Sequence, residues 1–199
     1  MISVKKRAEL IATVFVLIAA LASSSCSEDK ASELTRRYFG ALNSLDFRLA
    51  GELLGDENFY SNVTDSLQDD TLSYYEKIQY ENFIKLVYEN ISVEILKSEE
   101  TDEGYSVNIM VSTYAARDIL SCHESLLDKF KQSEQYNQAA EANKYVLLCE
   151  YIPEMYESMK DILTKTQSKL NITITQNDDG DLLIKADKKL FDAIAGIKE

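Results

Sequence analysis

The sequence predicts an α+β fold: an antiparallel four-stranded sheet packed on N-terminal helices, with a long helical hairpin inserted between two β-hairpins. Three observations predict it. The apolar period is about 3.6 residues over 32–54 and 72–86, and about 2 over 91–113. It is helical again over about 117–166, then alternates a second time over 170–186. Each alternating stretch is split by a short polar segment carrying a glycine, Gly104 in the first and Gly180 in the second. Alternation of this kind belongs to antiparallel strands with one face on a core and one toward water.

The elements follow in order. From Ser32 the residues Leu34, Tyr38, Leu42 and Leu45 recur at helical spacing. Asp46 can then cap a second helix that buries Phe47, Ala50 and Leu53 or Leu54, with Gly55 ending it. A looser polar segment, 56–70, precedes a third helix in which Leu72, Tyr75, Ile78, Phe83 and Leu86 share a face. Ile91, Val93 and Ile95 form one strand, and Tyr105, Val107, Ile109, Val111 and Thr113 its hairpin partner, with TDEG as the turn. The stretch from about 117 to 166 is rich in Glu, Lys, Gln and Ala, and Pro153 marks a kink or a break between two helices. Leu170, Ile172 and Ile174, then NDDG, then Leu182, Ile184 and Ala186 make the second hairpin. Asp187 can cap a last short helix carrying Leu190, Phe191 and Ile194. The order of strands within the sheet is not readable from this pattern.

Ahead of these elements stands a segment of a different kind. Lys5, Lys6 and Arg7 form a positive cluster, and residues 10–22 are apolar apart from one threonine. A transmembrane helix needs about 20 apolar residues, so this is the layout of a secretory signal instead. Three serines and Cys26 follow, then the polar run SEDKASE. Small residues before a cysteine resemble a bacterial lipoprotein signal with Cys26 as the lipid attachment point, although Ser23 stands where a leucine is usual. Ala20-Leu21-Ala22 also fits ordinary cleavage and release. Residues 1–25 are thus read as a signal peptide, 26–31 as a lipid-attached tether, and 32–199 as a single α+β domain. Several acyl chains at Cys26, each methylene contributing about 0.8 kcal/mol, would hold that domain on the outer side of the cytoplasmic membrane.

The charge is −13, and removal of residues 1–25 takes away three cations and one anion, leaving −15. An acidic chain is a poor match for nucleic acid, whose phosphates require clustered Lys and Arg. Cys122 and Cys149 remain after Cys26, and in an exported protein a pair is a disulfide candidate. Their midpoint lies near Gln135, where a helical hairpin would turn and bring the sulfurs level. Such a bridge would be worth roughly 3 kcal/mol through the unfolded chain. The alternative is two unpaired buried thiols.

Motifs for catalysis are sparse. His123 is the only histidine, and it points about 100° away from its neighbour Cys122 on a helix, so the two do not form a nucleophile and base. NDDGD at 177–181 fails the calcium-loop register, because Thr175 and Ala186 fall where carboxylates are needed, and it reads as a hairpin turn. There is no Gly-rich phosphate loop, HExxH, GxSxG or SxxK. Twelve tyrosines and no tryptophan are the least ordinary feature, with Tyr74, Tyr75, Tyr80 and Tyr88 on one helix and Tyr145, Tyr151 and Tyr156 on another. Tyrosines line pockets and interfaces, and they also form amphipathic core edges.

The segment LTRRYFGALNSLDFRLAGELL and the closing DGDLLIKADKKLFDAIAG resemble small bacterial lipoproteins with an NTF2-like (cystatin-like) domain. The matching positions are Tyr38, Phe39, Ala41, Leu42, Asp46, Phe47 and Ala50 at the helix pair, and Gly180 with Leu182, Leu183 and Ile184 at the last hairpin. The resemblance implies a sheet curved around the first helices and a cone-shaped cavity. Enzymes on that fold place acids, tyrosines or histidines inside the cone, and no such set maps onto this chain. The expected function is therefore that of a cell-envelope lipoprotein whose non-catalytic domain binds a ligand or a protein. The alternatives are an enzyme or small-molecule carrier using the cone cavity, and a structural envelope assembly protein. The membrane is an expected partner through the lipid. No metal, cofactor or nucleic acid is expected.

Overall fold

The computed structural model describes residues 30–197. Helix α1 is described over 30–43 and ends in a corner where Leu45 takes φ 58°, an uncommon left-handed conformation for a leucine. Leu45 therefore leaves the helix rather than continuing it. Asp46 caps α2 (Phe47–Glu52), its carboxylate accepting from the Leu49 N–H at 3.0 Å. The polar segment that follows is not irregular throughout, since it contains α3 (Ser61–Gln68). Helix α4 (Tyr74–Tyr88) opens with a capping box: Ser73 Oγ accepts from the Glu76 N–H, and Glu76 accepts from the Ser73 N–H.

Strands β1 (Ser92–Thr101) and β2 (Gly104–Thr113) form the first hairpin. Gly104 at φ 133° makes its turn possible, and a Cβ there would run into the Ile174 carbonyl oxygen. A bulge between Ile95 and Lys97 shifts the alternation, so that Val93 and Ile95 face inward before it and Ser98 after it. The inserted hairpin consists of α5 (Ala116–Lys131), the short α6 (Glu134–Gln138) and α7 (Glu141–Ile162). Its turn falls at 132–140, around Gln135 as expected, but Pro153 lies inside one continuous helix and does not divide two. Proline removes one ladder bond there, and packing of α7 against α4 and α5 holds the helix through the gap.

Strand β3 (Thr166–Gln176) begins at the residue where the helical stretch was expected to end, and β4 (Leu182–Ile184) is shorter than the alternation to Ala186 suggested. The cause is Asp187, which accepts from the Leu190 N–H at 2.8 Å and starts α8 (Lys188–Ile194), turning the chain away from β3. The sheet order is β1-β2-β3-β4 with every neighbour antiparallel. The fold is thus α+β with a four-stranded open antiparallel sheet.

Two cores result. In the first, Val107, Ile109, Val111, Ile172, Ile174 and Ile184 on one sheet face meet Tyr38, Phe39 and Leu42 of α1, Phe47 of α2, and Leu190 and Ile194 of α8. These side chains fill the space between α1 and the centre of the sheet. Tyr38 and Tyr60 share a 2.7 Å hydroxyl–hydroxyl hydrogen bond, and Phe47 packs on Tyr60 and Tyr88 with ring centroids at 5.5 and 5.0 Å. Burial pushes the pKa of Tyr38 and Tyr60 well above the usual tyrosine value, so both are neutral donors and acceptors. The second core joins Leu86 and Val87 of α4, Tyr114, Ile119 of α5, and Ile152, Met155, Tyr156 and Met159 of α7. Helix α4 serves both, sending Tyr80 and Ile84 to the first and Tyr75 and Ile78 to the second.

Candidate binding surface

The tyrosines of α4 and α7 separate into buried and exposed sets. Tyr80 and Tyr88 pack against the sheet core, and Tyr156 is buried among the helices, where desolvation raises its pKa to about 12. Tyr151 stacks on Phe130 at 4.0 Å and donates to the Leu126 carbonyl at 3.4 Å, which fixes α5 on that side of α7. Tyr74 and Tyr145 remain 66% and 48% exposed, and Val146 beside them 51%. The Tyr145 hydroxyl accepts from the Tyr75 N–H at 3.2 Å, so one exposed ring is held in place by the first turn of α4.

Between α4 and α7 these residues line a groove of about 540 Å³, with Ile78 and the buried Cys149 on its inner side and the exposed Glu81, Lys85, Glu150 and Pro153 at its rim. Past Asn82 and Lys85 it continues toward Glu89 and Glu157. The groove is apolar at one end, and at the other Lys85 and Lys160 stand beside Glu89 and Glu157, with Lys160 ion-paired to Glu157. Beneath it, the Gln79 side-chain N–H₂ is 3.0 Å from both the Tyr75 hydroxyl and His123 Nε2, and the His123 ring lies 5.6 Å from that of Tyr156. Burial lowers the His123 pKa, with Glu124 opposing and Lys131 adding to the shift. A neutral imidazole accepting from Gln79 is the state this geometry favours.

Cys122 and Cys149 are free thiols, which corrects the expected disulfide. The reason lies in the faces of α7. Cys149 lines the groove toward α4, whereas Cys122 on α5 lies in the electrostatic reach of Tyr151, two positions and so roughly 200° away around α7. The helical hairpin brings the two helices together without turning the two sulfurs to each other. Burial raises the Cys122 pKa against the pull of Lys129, which keeps the thiol protonated and a poor nucleophile. His123 is directed to Gln79 and Tyr156, so Cys122 and His123 are not brought together as a nucleophile and base.

The NDDGD segment is a hairpin turn. Asn177 Oδ1 accepts from the N–H groups of Asp179 and Asp181 at 3.1 and 2.7 Å, and Gly180 sits at φ 90°. Among the described residues no group of His, Cys, Asp and Glu could hold a metal ion. Cys26 lies outside the described residues. Among the described residues no helix is long and apolar enough to cross a membrane.

Sequence reasoning missed a cleft of about 860 Å³ between α1, α2 and the tips of both hairpins. Lys30 and Arg37 line it together with Glu52, Glu100, Asp102 and Asp181. It is assembled from four separated chain segments, and no local pattern announces it.

No protein-family model matches the chain, and no curated protein matches it. Among solved structures it is similar to a candidate lipoprotein (ycdA) from Bacillus subtilis subsp. subtilis str. 168, at 15% identity and a TM-score of 0.44. The similarity covers 75% of this chain and 50% of the other, so this chain spans about half the length of that protein.

Proposed function

We propose that this chain is an exported, lipid-anchored envelope protein without catalytic activity, which holds a protein partner on the face formed by α4 and α7. The anchor reading rests on the cationic cluster at Lys5, Lys6 and Arg7, the short apolar run 10–22 and the position of Cys26. The helix pair α1–α2 against four antiparallel strands is in keeping with an NTF2-like arrangement whose centre is filled by core side chains. One observation carries the reading: Tyr74, Tyr145 and Val146 stand exposed around one groove. Exposed aromatic rings with a held hydroxyl are typical anchors of protein interfaces. Glu81 and Glu150 at the rim, against Lys85, and the charge of −13 select a partner that presents basic side chains beside an apolar segment.

The test is photo-crosslinking in the producing cell, with a benzophenone side chain placed at Tyr74, at Tyr145, or at the exposed Glu94 of β1 on the far face of the sheet. The same adduct from the two groove positions, absent from the third and lost when Val146→Lys is added, is the expected result. Equal adducts at all three positions, or none at the groove, would overturn the reading. The intact mass of the membrane-extracted protein reports the anchor separately: a diacylated chain beginning at Cys26 is expected, and an unlipidated chain beginning at Ser23 would remove it.

A further inference from the structure

The open sheet has two free edges, and they are finished differently. The outer edge of β1 carries exposed Glu94, Lys97, Glu99 and Glu100 and is kinked by the bulge between Ile95 and Lys97. Charge and a bulge are the usual guards against strand addition. The edge of β3 has no bulge, and β4 covers only its last part, through the pairs Ile174–Ile184, Thr175–Leu183 and Gln176–Leu182. The Lys185 N–H still reaches the Thr173 carbonyl at 2.8 Å, after which the chain leaves for α8. Because main-chain groups alternate sides along a strand, those of Asn171, Lys169 and Gln167 point the same way as those of Thr173. No strand lies beside them among the described residues. This bare stretch is about 17 Å long at the usual strand rise.

A groove of about 570 Å³ runs beside it, between β3 and α8. Its apolar lining is Leu170, Ala193 and the exposed Ile197, and its cations are Lys169 and Lys189. Asp192, the acid in the lining, is ion-paired with Lys188. On a chain of charge −13 this is a locally basic slot next to unpaired main chain.

We propose that the free edge of β3 is a strand-acceptor site, which takes an extended segment of a partner protein with alternating apolar and acidic residues as a fifth strand. Main-chain groups of Gln167, Lys169 and Asn171 pair with the incoming segment, its apolar side chains lie over Leu170, Ala193 and Ile197, and its carboxylates face Lys169 and Lys189. Strand addition supplies affinity through the backbone and selectivity through alternate side chains. The site is on a different face from the α4–α7 groove and does not depend on it.

Amide exchange of the full-length chain, followed by NMR, tests this with an end-blocked peptide of about six residues alternating glutamate and valine, a typical strand length. Exchange at Gln167, Lys169 and Asn171 is expected to slow while the β1 amides stay unchanged. Lys169→Glu should weaken the glutamate peptide about fivefold, since cross-strand charge pairs are of that order. The same variant should bind a lysine–valine peptide better than the parent chain does, a gain that misfolding cannot produce. No protection, protection along β1, or equal affinity for both peptides in both chains would overturn the proposal. Protection that rises with protein concentration without peptide would overturn it too, by giving the edge to a second copy of the chain.

Discussion

The two cores of this molecule differ in how completely they close. The sheet core is sealed by helices on one side and by an aromatic cluster at its end, where the rings of Phe47, Tyr60 and Tyr88 pack on one another and the Tyr38 and Tyr60 hydroxyls are hydrogen-bonded. The helical core is smaller and is built around Met155 and Met159, flexible side chains that fill irregular space. Of the eight large hydrophobic residues that stay exposed among the described residues, Tyr74, Leu120, Tyr145, Val146 and Ile162 lie on α4, α5 and α7. The inserted helices thus add surface as well as core. The sheet unit provides the frame, and the helical unit provides the face on which the proposed binding depends.

The sharpest way to break that contrast is to hollow each core in turn. Ile109 and Met159 are both fully buried, one in each cluster. Either change to alanine is expected to cost about 2–5 kcal/mol in urea denaturation. Their local signatures should differ. Ile109→Ala should raise amide exchange throughout the chain, because β2 is central to the sheet that everything else is mounted on. Met159→Ala should raise it over α5–α7 and leave the β2–β3 ladder protected. Equal exchange across the whole chain in both variants would mean that the two cores unfold as one unit.

A smaller effect sharpens the account of the sealed core. Tyr60→Phe removes one hydroxyl and leaves that of the fully buried Tyr38 without its partner. An unsatisfied buried polar group costs about 1–3 kcal/mol, whereas removing both hydroxyls with Tyr38→Phe added keeps the shape without the orphan. The double variant should therefore be more stable than Tyr60→Phe alone. If denaturation midpoints fall additively instead, the pair is not coupled as its 2.7 Å separation implies.

These cores were only half legible in the sequence, and the division follows locality. Asp46 and Asp187 as caps, and the turns at Gly104 and Gly180, were readable because each depends on a few neighbouring residues. The capping box of Ser73 and Glu76 was equally local, and its S-x-x-E spacing was there to be used. The order of the strands, the bulge after Ile95 and the early end of β4 depend on what packs against them, which periodicity does not carry. The same holds for the thiols. Spacing placed Cys122 and Cys149 at similar heights in a helical hairpin, but the facing of α7 toward both α4 and α5 decides where each sulfur points. Tyrosine number flagged the groove; only the fold shows which rings stay outside.

The weakest expected effect concerns pH and the seam between α4, α5 and α7. His123 faces Gln79 of α4, whose amide also donates to Tyr75, and Tyr156 of α7, with Glu124 and Lys131 on its own helix. Burial is the leading cause of its lowered pKa. The unfolded chain then takes up a proton near the usual histidine value of about 6.5, before the folded chain does. The folded state consequently has its full stability from this residue above that value, and loses it as pH falls toward the depressed folded pKa. Below both values the loss is complete. Protonation also puts a second donor where Gln79 donates now, so the seam is where the loss should appear. His123→Gln keeps an acceptor for Gln79 but does not titrate. Thermal melts from pH 7.5 to 5 should show the parent losing more stability than this variant, with exchange rising first in α5. Parallel curves would show that the seam is insensitive to protonation, and that acid sensitivity resides in the carboxylates of the surface.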